Sequence, residues 1–140
     1  MSREDILALF ARRSAAWSAH DAHALATLHA LHGTVASPTG GVLEGRAEIE
    51  RIYGMWLSAF PDMIHKVEEL VIDNNRVVEL AHVTGTHSGE FFGVQPTGRR
   101  VSVATAFVMT IEDGEILHER RILDFTGVLV QVGVLKAKPV

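Results

Sequence analysis

The hydrophobic period of this chain changes near its midpoint, and that change limits the folds it can adopt. Up to residue 60, apolar side chains recur every three or four residues, as at Ile6, Phe10 and Trp17, which is typical of amphipathic helices. Beyond residue 62, stretches rich in Val, Ile, Thr and Phe are separated by turn signals, which is typical of strands. Helices followed by consecutive strands indicate an α+β fold rather than alternating βαβ units.

The first half of the chain predicts three helices. Ser2 and Asp5 form a loose capping box before the first, and Asp21 can cap a second, shorter one. The third runs from about residue 46 to residue 59, where its apolar stripe ends before a proline. Residues 33–45 are dense in Gly and Pro and predict a loop, which can include a short strand over residues 34–37.

The second half predicts four long strands joined mainly by tight turns. Their expected ranges are 63–72, 76–87, 99–112 and 115–125. An antiparallel sheet of this length with helices packed on one face should leave a pocket between the two layers.

Length and charge narrow the class of protein. The chain has 140 residues, and a chain of this length typically buries about 68% of its unfolded surface, so we expect a single domain over residues 1–140. Its formal net charge of −4 indicates no surface for nucleic acid or anionic lipid. A polar N-terminal stretch and the lack of an apolar run of about 18 residues predict a soluble, cytoplasmic protein with no membrane partner.

Several kinds of chemistry are excluded by what the sequence lacks. It contains no cysteine, which removes disulfides, thiolate metal sites and cysteine nucleophiles. It also lacks a GxGxxG loop, a Walker loop, a GxSxG elbow and an HExxH pair. We therefore expect no metal and no cofactor, which leaves cofactor-free acid–base catalysis or plain binding.

Eight histidines are many for so short a chain. Five have no chemical companion at a useful spacing and are interpreted as surface or capping residues: His20, His23, His29, His32 and His65. His82 is expected to point away from the face of its strand that holds His87. Only His87 and His118 remain as candidates for chemistry.

Asp124 is the most informative charged residue. If the last strand alternates regularly, Asp124 shares a partly buried face with Ile116, His118, Arg120 and Ile122. A carboxylate there has two interpretations. Burial can raise its pKa so that it serves as an acid or base, or it can form a structural ion pair with a neighbouring arginine.

His87 and one aromatic stripe are the other candidates. His87 lies between Gly85 and Gly89 at the end of a strand, where glycines allow close backbone approach, so its imidazole can be aimed into a cavity or simply be half-buried. Three aromatic residues on the third helix can form pocket walls or ordinary core: Tyr53, Trp56 and Phe60.

A series of motifs runs in order along nearly the whole chain. They are Trp56-x3-Phe60-Pro61-Asp62, Gly85-Thr86-His87-Ser88-Gly89-Glu90-Phe91, Pro96-Thr97-Gly98-Arg99, Asp113-Gly114-x-Ile116 and Asp124-x2-Gly127-x3-Gln131-x-Gly133. As an ordered set they resemble the SnoaL-like polyketide cyclases, a group within the nuclear transport factor 2-like superfamily. The resemblance implies an α+β cone, in which a strongly curved antiparallel sheet wraps around three helices and encloses a deep apolar pocket.

The resemblance also implies a reaction. In that family ring closure is an intramolecular aldol condensation on a polyketide ester, without metal or cofactor, and an aspartate near the end of the last strand is the general acid/base. Asp124 matches that aspartate, and His87 matches a pocket histidine that can act as an orienting partner. Arg120 stands where the family often has Trp, and a cation there would keep Asp124 ionised and favour an anionic substrate. The other expected substrate-binding residues are His118, Trp56, Tyr53 and Phe60.

Two other functions remain open. One is a non-catalytic small-molecule binding domain on the same scaffold. The other is an epoxide-hydrolase-like enzyme, which needs an Asp–Arg–Asp arrangement around a water molecule. Each of these functions takes a small, largely apolar molecule as its partner. The resemblance further implies a homodimer formed through the outer face of the sheet.

Overall fold

The computed structural model of the chain describes residues 2–136, in which four helices pack on a curved, unclosed six-stranded sheet. The elements are α1 (Arg3–Ser18), α2 (Ala22–Thr27), β1 (His29–Ser37), β2 (Gly41–Glu44), α3 (Arg46–Ala59), β3 (Ile64–Asp73), β4 (Arg76–Thr86), β5 (Arg100–Glu112), β6 (Glu115–Leu123) and α4 (Phe125–Gln131). The α+β prediction is confirmed. Within residues 2–136, no helix has both the length and the apolar character needed to cross a bilayer.

Helix α1 forms as its sequence predicts. The Ser2 hydroxyl accepts the N–H of Asp5, and the Asp5 carboxylate accepts the N–H of Ser2, each at 3.1 Å, which satisfies two of the free donors at the helix start. The buried stripe of α1 contains one charged side chain, Arg13, between Phe10 and Trp17. A fully buried arginine needs ionic partners, and those partners lie on the sheet.

The sheet has the strand order β2-β1-β6-β5-β4-β3. Strands β3 to β6 form an antiparallel meander, whereas β1 pairs in parallel with β6. Its inner face packs on the helices in two apolar cores. One is centred on Tyr53, Phe60 and Val103, and the other on Phe10 and Met109.

A β-bulge on β6 reverses the faces that regular alternation predicts. Ile111 pairs with Ile116 but the preceding residue on β5, Thr110, pairs with His118, so Leu117 is an extra residue on β6. The prediction that Ile116, His118, Arg120 and Ile122 share one inner face is therefore wrong. Beyond the bulge His118, Arg120 and Ile122 are exposed, and the buried side chains are those of Glu119 and Arg121.

The short strand expected at residues 34–37 is present as the end of β1, but the rest of the predicted loop over residues 33–45 is wrong, because β1 and β2 form a hairpin there. Gly33 lies within β1 and does not end the strand. A β-carbon at Gly33 would lie 3.2 Å from the carbonyl oxygens of both Ile116 and Leu117, so glycine lets β1 approach β6 closely.

The chain also turns earlier than predicted at the end of β6. The last strand was expected to continue to residue 125, but it ends at Leu123, and Asp124 is the N-cap of a fourth helix, α4. The Asp124 carboxylate accepts the backbone N–H of Gly127 at 2.9 Å, the bond expected of a capping aspartate.

Candidate functional site

A narrow cavity of about 40 Å³ lies between the helices and the inner face of the sheet. Most of its walls are apolar side chains contributed by α1, α3 and four strands. The lining residues are Trp17, Trp56, Met63, His65, Val83, Val103, Thr105, Phe107, Arg121 and Leu123. Such an apolar enclosure with few polar groups is the usual form of a small-molecule site.

Three of the lining side chains bring polar atoms that have no partner. Trp17 Nε1, His65 Nδ1 and Arg121 Nη2 are buried and make no hydrogen bond within the described part of the chain. Buried polar atoms are nearly always bonded, so each exception calls for an explanation. The side chains that carry these three atoms all line the cavity, which makes the cavity a candidate site for a polar group of a ligand.

The register of the sheet explains how charged groups reach this cavity. On the inner face Glu79 of β4 lies opposite Phe107 of β5, which lies opposite Arg121 of β6. This row follows the bulge at Leu117, without which Arg121 would face outward. The extra residue Leu117 therefore directs the side chain of Arg121 toward the interior of the cone.

Four buried charges form what we call the ion-pair cluster: Arg13, Glu79, Glu119 and Arg121. Arg13 lies 3.4 Å from Glu79 and 3.2 Å from Glu119, and Arg121 Nε donates to Glu119 at 2.6 Å. The cluster contains two cations and two anions, so its formal charge is zero. The free-energy cost of burying each of these charges is thus offset by its ion pairs.

Titration of the groups in and around the cluster follows from their burial and pairing. Burial alone would raise the pKa of Glu119, but Arg121 and Arg13 lower that pKa to about 2. Burial would likewise raise the pKa of Glu79, and Arg13 and His65 bring it below its ordinary value. For His65 burial lowers the pKa, and the neighbouring Glu79 only partly offsets this. At neutral pH the two carboxylates are therefore ionised and the imidazole is neutral.

Tyr53 contacts the ion-pair cluster and does not line the cavity. Arg13 Nη1 donates to its hydroxyl at 2.6 Å, and that hydroxyl lies 2.8 Å from His29 Nε2. Burial raises the pKa of Tyr53 and lowers that of His29 to about 3, so both are neutral. The interpretation of His29 as a surface residue is wrong, because its side chain is fully buried.

His65 was also interpreted as a surface residue, and this is wrong too. Its side chain is 2% exposed, and its Nε2 lies 2.9 Å from Glu79 Oε1. The ring stacks on Trp17 with a centroid distance of 4.5 Å and an interplanar angle of 6°. A sequence signal was available, since Glu79 is a lone charge at an inward position between Val77 and Ala81, and such a charge needs a partner.

The remaining expected site residues lie mostly outside the cavity wall. Asp124 is exposed at the start of α4, and Arg120 and His118 are exposed on the outer face of β6. His118 Nδ1 bonds the Thr34 hydroxyl at 2.7 Å. The bulge at Leu117 is the physical reason for the outward position of Arg120 and His118.

His87 is fully buried at the aromatic end of the core. Its Nδ1 lies 2.9 Å from the Thr97 hydroxyl, and its ring contacts Phe60 and Phe91. Its Nε2 has no partner within the described residues. Phe60 is core, stacked on Trp56, and Trp56 alone of the seven expected site residues lines the cavity.

A carboxylate–arginine–carboxylate arrangement is present but is not open to a substrate. Glu79, Arg13 and Glu119 are all buried, and none of them lines the cavity. The geometry thus does not favour the hydrolase alternative. Among residues 2–136, no three His, Asp or Glu side chains come together as ligands for a metal ion.

Comparisons with known proteins agree with this architecture. The model of the SnoaL-like polyketide cyclase family matches residues 8–132. Among solved structures, AclR, a proposed hydroxylase from Streptomyces galilaeus, is 30% identical with a TM-score of 0.86, and the match covers 99% of this chain and 87% of AclR. No curated protein matches the sequence significantly.

Two further structures share the fold. IdmH, a proposed polyketide cyclase from Streptomyces antibioticus, is 27% identical with a TM-score of 0.75, covering 89% of this chain and 96% of IdmH. A SnoaL-like protein from a Jannaschia species is 22% identical with a TM-score of 0.86, covering 99% and 98% of the two chains. The last of these shows likeness of fold alone.

Proposed function

The chain belongs to the SnoaL-like polyketide cyclase family, and we propose that it catalyses cofactor-free, aldol-type ring closure of a small, largely apolar carbonyl compound. The observation that carries this proposal is the set of unpartnered polar atoms, from Trp17, His65 and Arg121, around an apolar cavity. IdmH is itself a proposed polyketide cyclase, which supports the same class of reaction.

The physical requirements of ring closure match such a cavity. Removal of a proton next to a carbonyl needs a base within about 2.6–3.2 Å and donors for the developing oxyanion. The N–H groups of Trp17 and Arg121 can supply the donors. Apolar walls exclude water and hold a flexible chain in a reacting conformation, and this orientation can contribute strongly to the rate.

Asp124 and His87 enter this proposal through the family resemblance. Asp124 directly follows Leu123, which lines the cavity, and this neighbourhood supports a role for it as general acid/base with His87 as an orienting partner. In the structure the carboxylate of Asp124 caps α4 and is exposed. For this role it must release Gly127 and turn toward the bound substrate.

Access to the cavity requires movement of its edges. A free volume of about 40 Å³ holds a few water molecules, which is less than a ring-forming substrate occupies. Trp56 is only half-buried, and Met63 lines both the cavity and a surface hollow that also borders Trp17 and His65. We infer that these two side chains move apart when substrate binds.

Linear heptanedione, a δ-diketone whose ring-closed β-hydroxyketone loses water to give methylcyclohexenone, tests the proposal. Both tryptophans of the chain line the cavity, so binding should change the intrinsic fluorescence, and product formation is followed by its ultraviolet absorbance. We expect both signals from the wild-type protein. Binding without ring closure would favour the non-catalytic binding domain, and absence of both would reject the cavity as the site.

The role of Asp124 is tested separately with Asp124→Asn. This variant keeps a capping side chain but cannot take up a proton. If Asp124 is the acid/base, ring closure should fall about 10²- to 10⁴-fold while the fluorescence change on binding is kept. Full turnover by Asp124→Asn would remove Asp124 from the mechanism and leave the cavity as the site.

The homodimer stays a prediction. The outer face of the sheet exposes the apolar side chains of Val71 and Ile122, which supports association through that face. Light scattering of the purified protein gives the mass in solution, and a monomer at all concentrations would contradict the prediction.

A further inference from the structure

We propose that His65 is a general base inside the cavity, oriented by Glu79 and assisted by the N–H donors of Trp17 and Arg121. This inference rests on the proposed ring-closing function and names the group that removes the proton from carbon. It assigns to His65 the base role that the resemblance gives to Asp124, which lies outside the cavity wall, so the two assignments are alternatives.

Hydrogen bonding fixes which nitrogen of His65 is available. Nε2 lies 2.9 Å from Glu79 Oε1, and an ionised carboxylate only accepts hydrogen bonds, so Nε2 carries the hydrogen. In a neutral imidazole Nδ1 then carries the lone pair. Nδ1 is buried and without a partner in the described part of the chain, so its lone pair is not engaged by another residue.

The orientation of the His65 ring is determined on several sides. Trp17 stacks on the ring, Phe107 packs against it at a centroid distance of 5.4 Å, and Glu79 holds its far nitrogen. Arg13 in turn fixes Glu79 through an ion pair. A base held this firmly loses little orientational freedom when a substrate binds.

Two donors lie on the same cavity as this base. Trp17 Nε1 and Arg121 Nη2 are both buried and unpartnered within residues 2–136, and both side chains line the cavity with His65. The nearby Glu119 fixes Arg121 through its Nε, which leaves Nη2 for a ligand. A carbonyl oxygen is the group that such a pair of donors would bind.

The charge balance of the surroundings favours proton transfer to His65. The ion-pair cluster has a formal charge of zero, so protonation of His65 alone would leave an uncompensated positive charge in the interior. An enolate formed at the same moment supplies the balancing negative charge beside Arg121. The buried site therefore favours the ion pair that the reaction creates over protonation from water.

The reaction step balances without a co-reactant. His65 Nδ1 takes a proton from the carbon next to a carbonyl, and the electron pair of that C–H bond forms the enolate, whose oxygen accepts hydrogen bonds from Trp17 and Arg121. The enolate carbon then attacks the second carbonyl of the same molecule and forms the new C–C bond. The resulting alkoxide takes the proton back from His65, which returns to its neutral form. The β-hydroxyketone formed in this way then loses water to give the enone that absorbs in the ultraviolet.

The variant His65→Gln tests the assignment. A glutamine amide can replace Nε2 as donor to Glu79 but offers no basic nitrogen at the position of Nδ1. We expect kcat for heptanedione closure to fall about 10²- to 10⁴-fold, with little change in KM or in the fluorescence change on binding. The matched control is His82→Gln on β4, since His82 is partly exposed and bonds Ser102 on the neighbouring strand, and it should retain wild-type kcat.

The outcomes separate this inference from the proposed function. Wild-type kcat in His65→Gln would overturn the role of His65 while ring closure by the protein stands. Absence of closure by the wild-type protein would instead reject the proposed function, and with it this inference.

A second measurement needs no variant and covers the case in which His65→Gln does not fold. Nitrogen NMR of the labelled wild-type protein reports which ring nitrogen of His65 carries the hydrogen at neutral pH. We expect Nε2–H with a bare Nδ1. A hydrogen on Nδ1 would leave no lone pair for the substrate and would overturn the proposal.

Discussion

The carboxylates inside the sheet and the carboxylate at the end of β6 have opposite surroundings. Glu79 and Glu119 are buried and paired with arginines, whereas Asp124 is exposed and bonded to a backbone N–H of the helix that it caps. Interior carboxylates of this kind control the charge of the cavity and the orientation of its side chains. Asp124 controls where the chain turns. The difference shows that the position of a carboxylate in the fold decides whether it pairs with a buried cation or with the backbone of a helix start.

The largest expected effect on the free energy of unfolding comes from a change at one of the buried carboxylates. Glu119→Gln removes the negative charge that Arg13 and Arg121 share, and leaving a buried charge uncompensated typically costs about 3–5 kcal/mol. We expect a loss of that size in the free energy of unfolding, measured by urea denaturation at neutral pH. The matched control is Glu50→Gln, whose side chain is exposed beside His23 and should cost about 1 kcal/mol or less. Equal losses of unfolding free energy in the two variants would contradict the expected difference between buried and exposed carboxylates.

The second prediction concerns acid pH. The pKa of His29 is about 3 in the folded protein against 6.5 in a free side chain, so between these values the unfolded chain binds a proton that the folded protein does not. The free energy of unfolding should therefore decrease as the pH falls, by about 1.4 kcal/mol per pH unit from this residue. The pKa of Glu119, about 2 against 4.5, acts in the same direction at lower pH.

The variant His29→Gln isolates the histidine contribution. A glutamine amide can replace Nε2 beside the Tyr53 hydroxyl but does not titrate. Urea denaturation between pH 6.5 and 4.5 should give a flatter dependence than in the wild-type protein. An unchanged slope would mean that His29 does not contribute to the acid sensitivity.

The smallest expected effect is at the end of β6. Asp124→Ala removes the cap of α4 and should cost about 1 kcal/mol, whereas Asp124→Asn should change the stability little, because Asn caps about as well as Asp. Hydrogen exchange of the Gly127 and Val128 amides, together with urea denaturation, measures the local and global loss. A loss as large as that of Glu119→Gln would contradict the contrast between the two regions.

Local signals in the sequence predict the helices and the meander well. The structure contains the capping box at Ser2 and Asp5, the apolar stripe of α3 and the tight turns that join β3 to β4 and β5 to β6. Each of these features is encoded by a few neighbouring residues. The order of helices and strands then predicted the fold class, and the ordered motifs predicted the family. These features are predictable because their physical cause lies within one element or one turn.

The site was harder to predict because its causes are not local. His65 and Glu79 are 14 residues apart on different strands, and Arg121 faces inward only because Leu117 is an extra residue on β6. The hydrophobic pattern of β6 gives no signal for that bulge. The lone charges Arg13 and Glu79 within apolar stripes were the available signal, since a buried charge requires a partner somewhere in the core.

The parallel pairing of β1 with β6 has a consequence for the time course of folding. Short turns join β3 to β4, β5 to β6 and β1 to β2, and a longer segment over residues 87–99 joins β4 to β5. Each set can therefore assemble from strands that are consecutive along the chain. The two sets meet where Thr34 contacts His118, 84 residues away, and contacts of such separation form slowly. During synthesis on the ribosome, β1 cannot pair with β6 until β6 has been synthesised. We therefore expect the seam in the middle of the sheet to close last, which makes the β1–β2 hairpin the part most in need of protection from aggregation in a newly made chain.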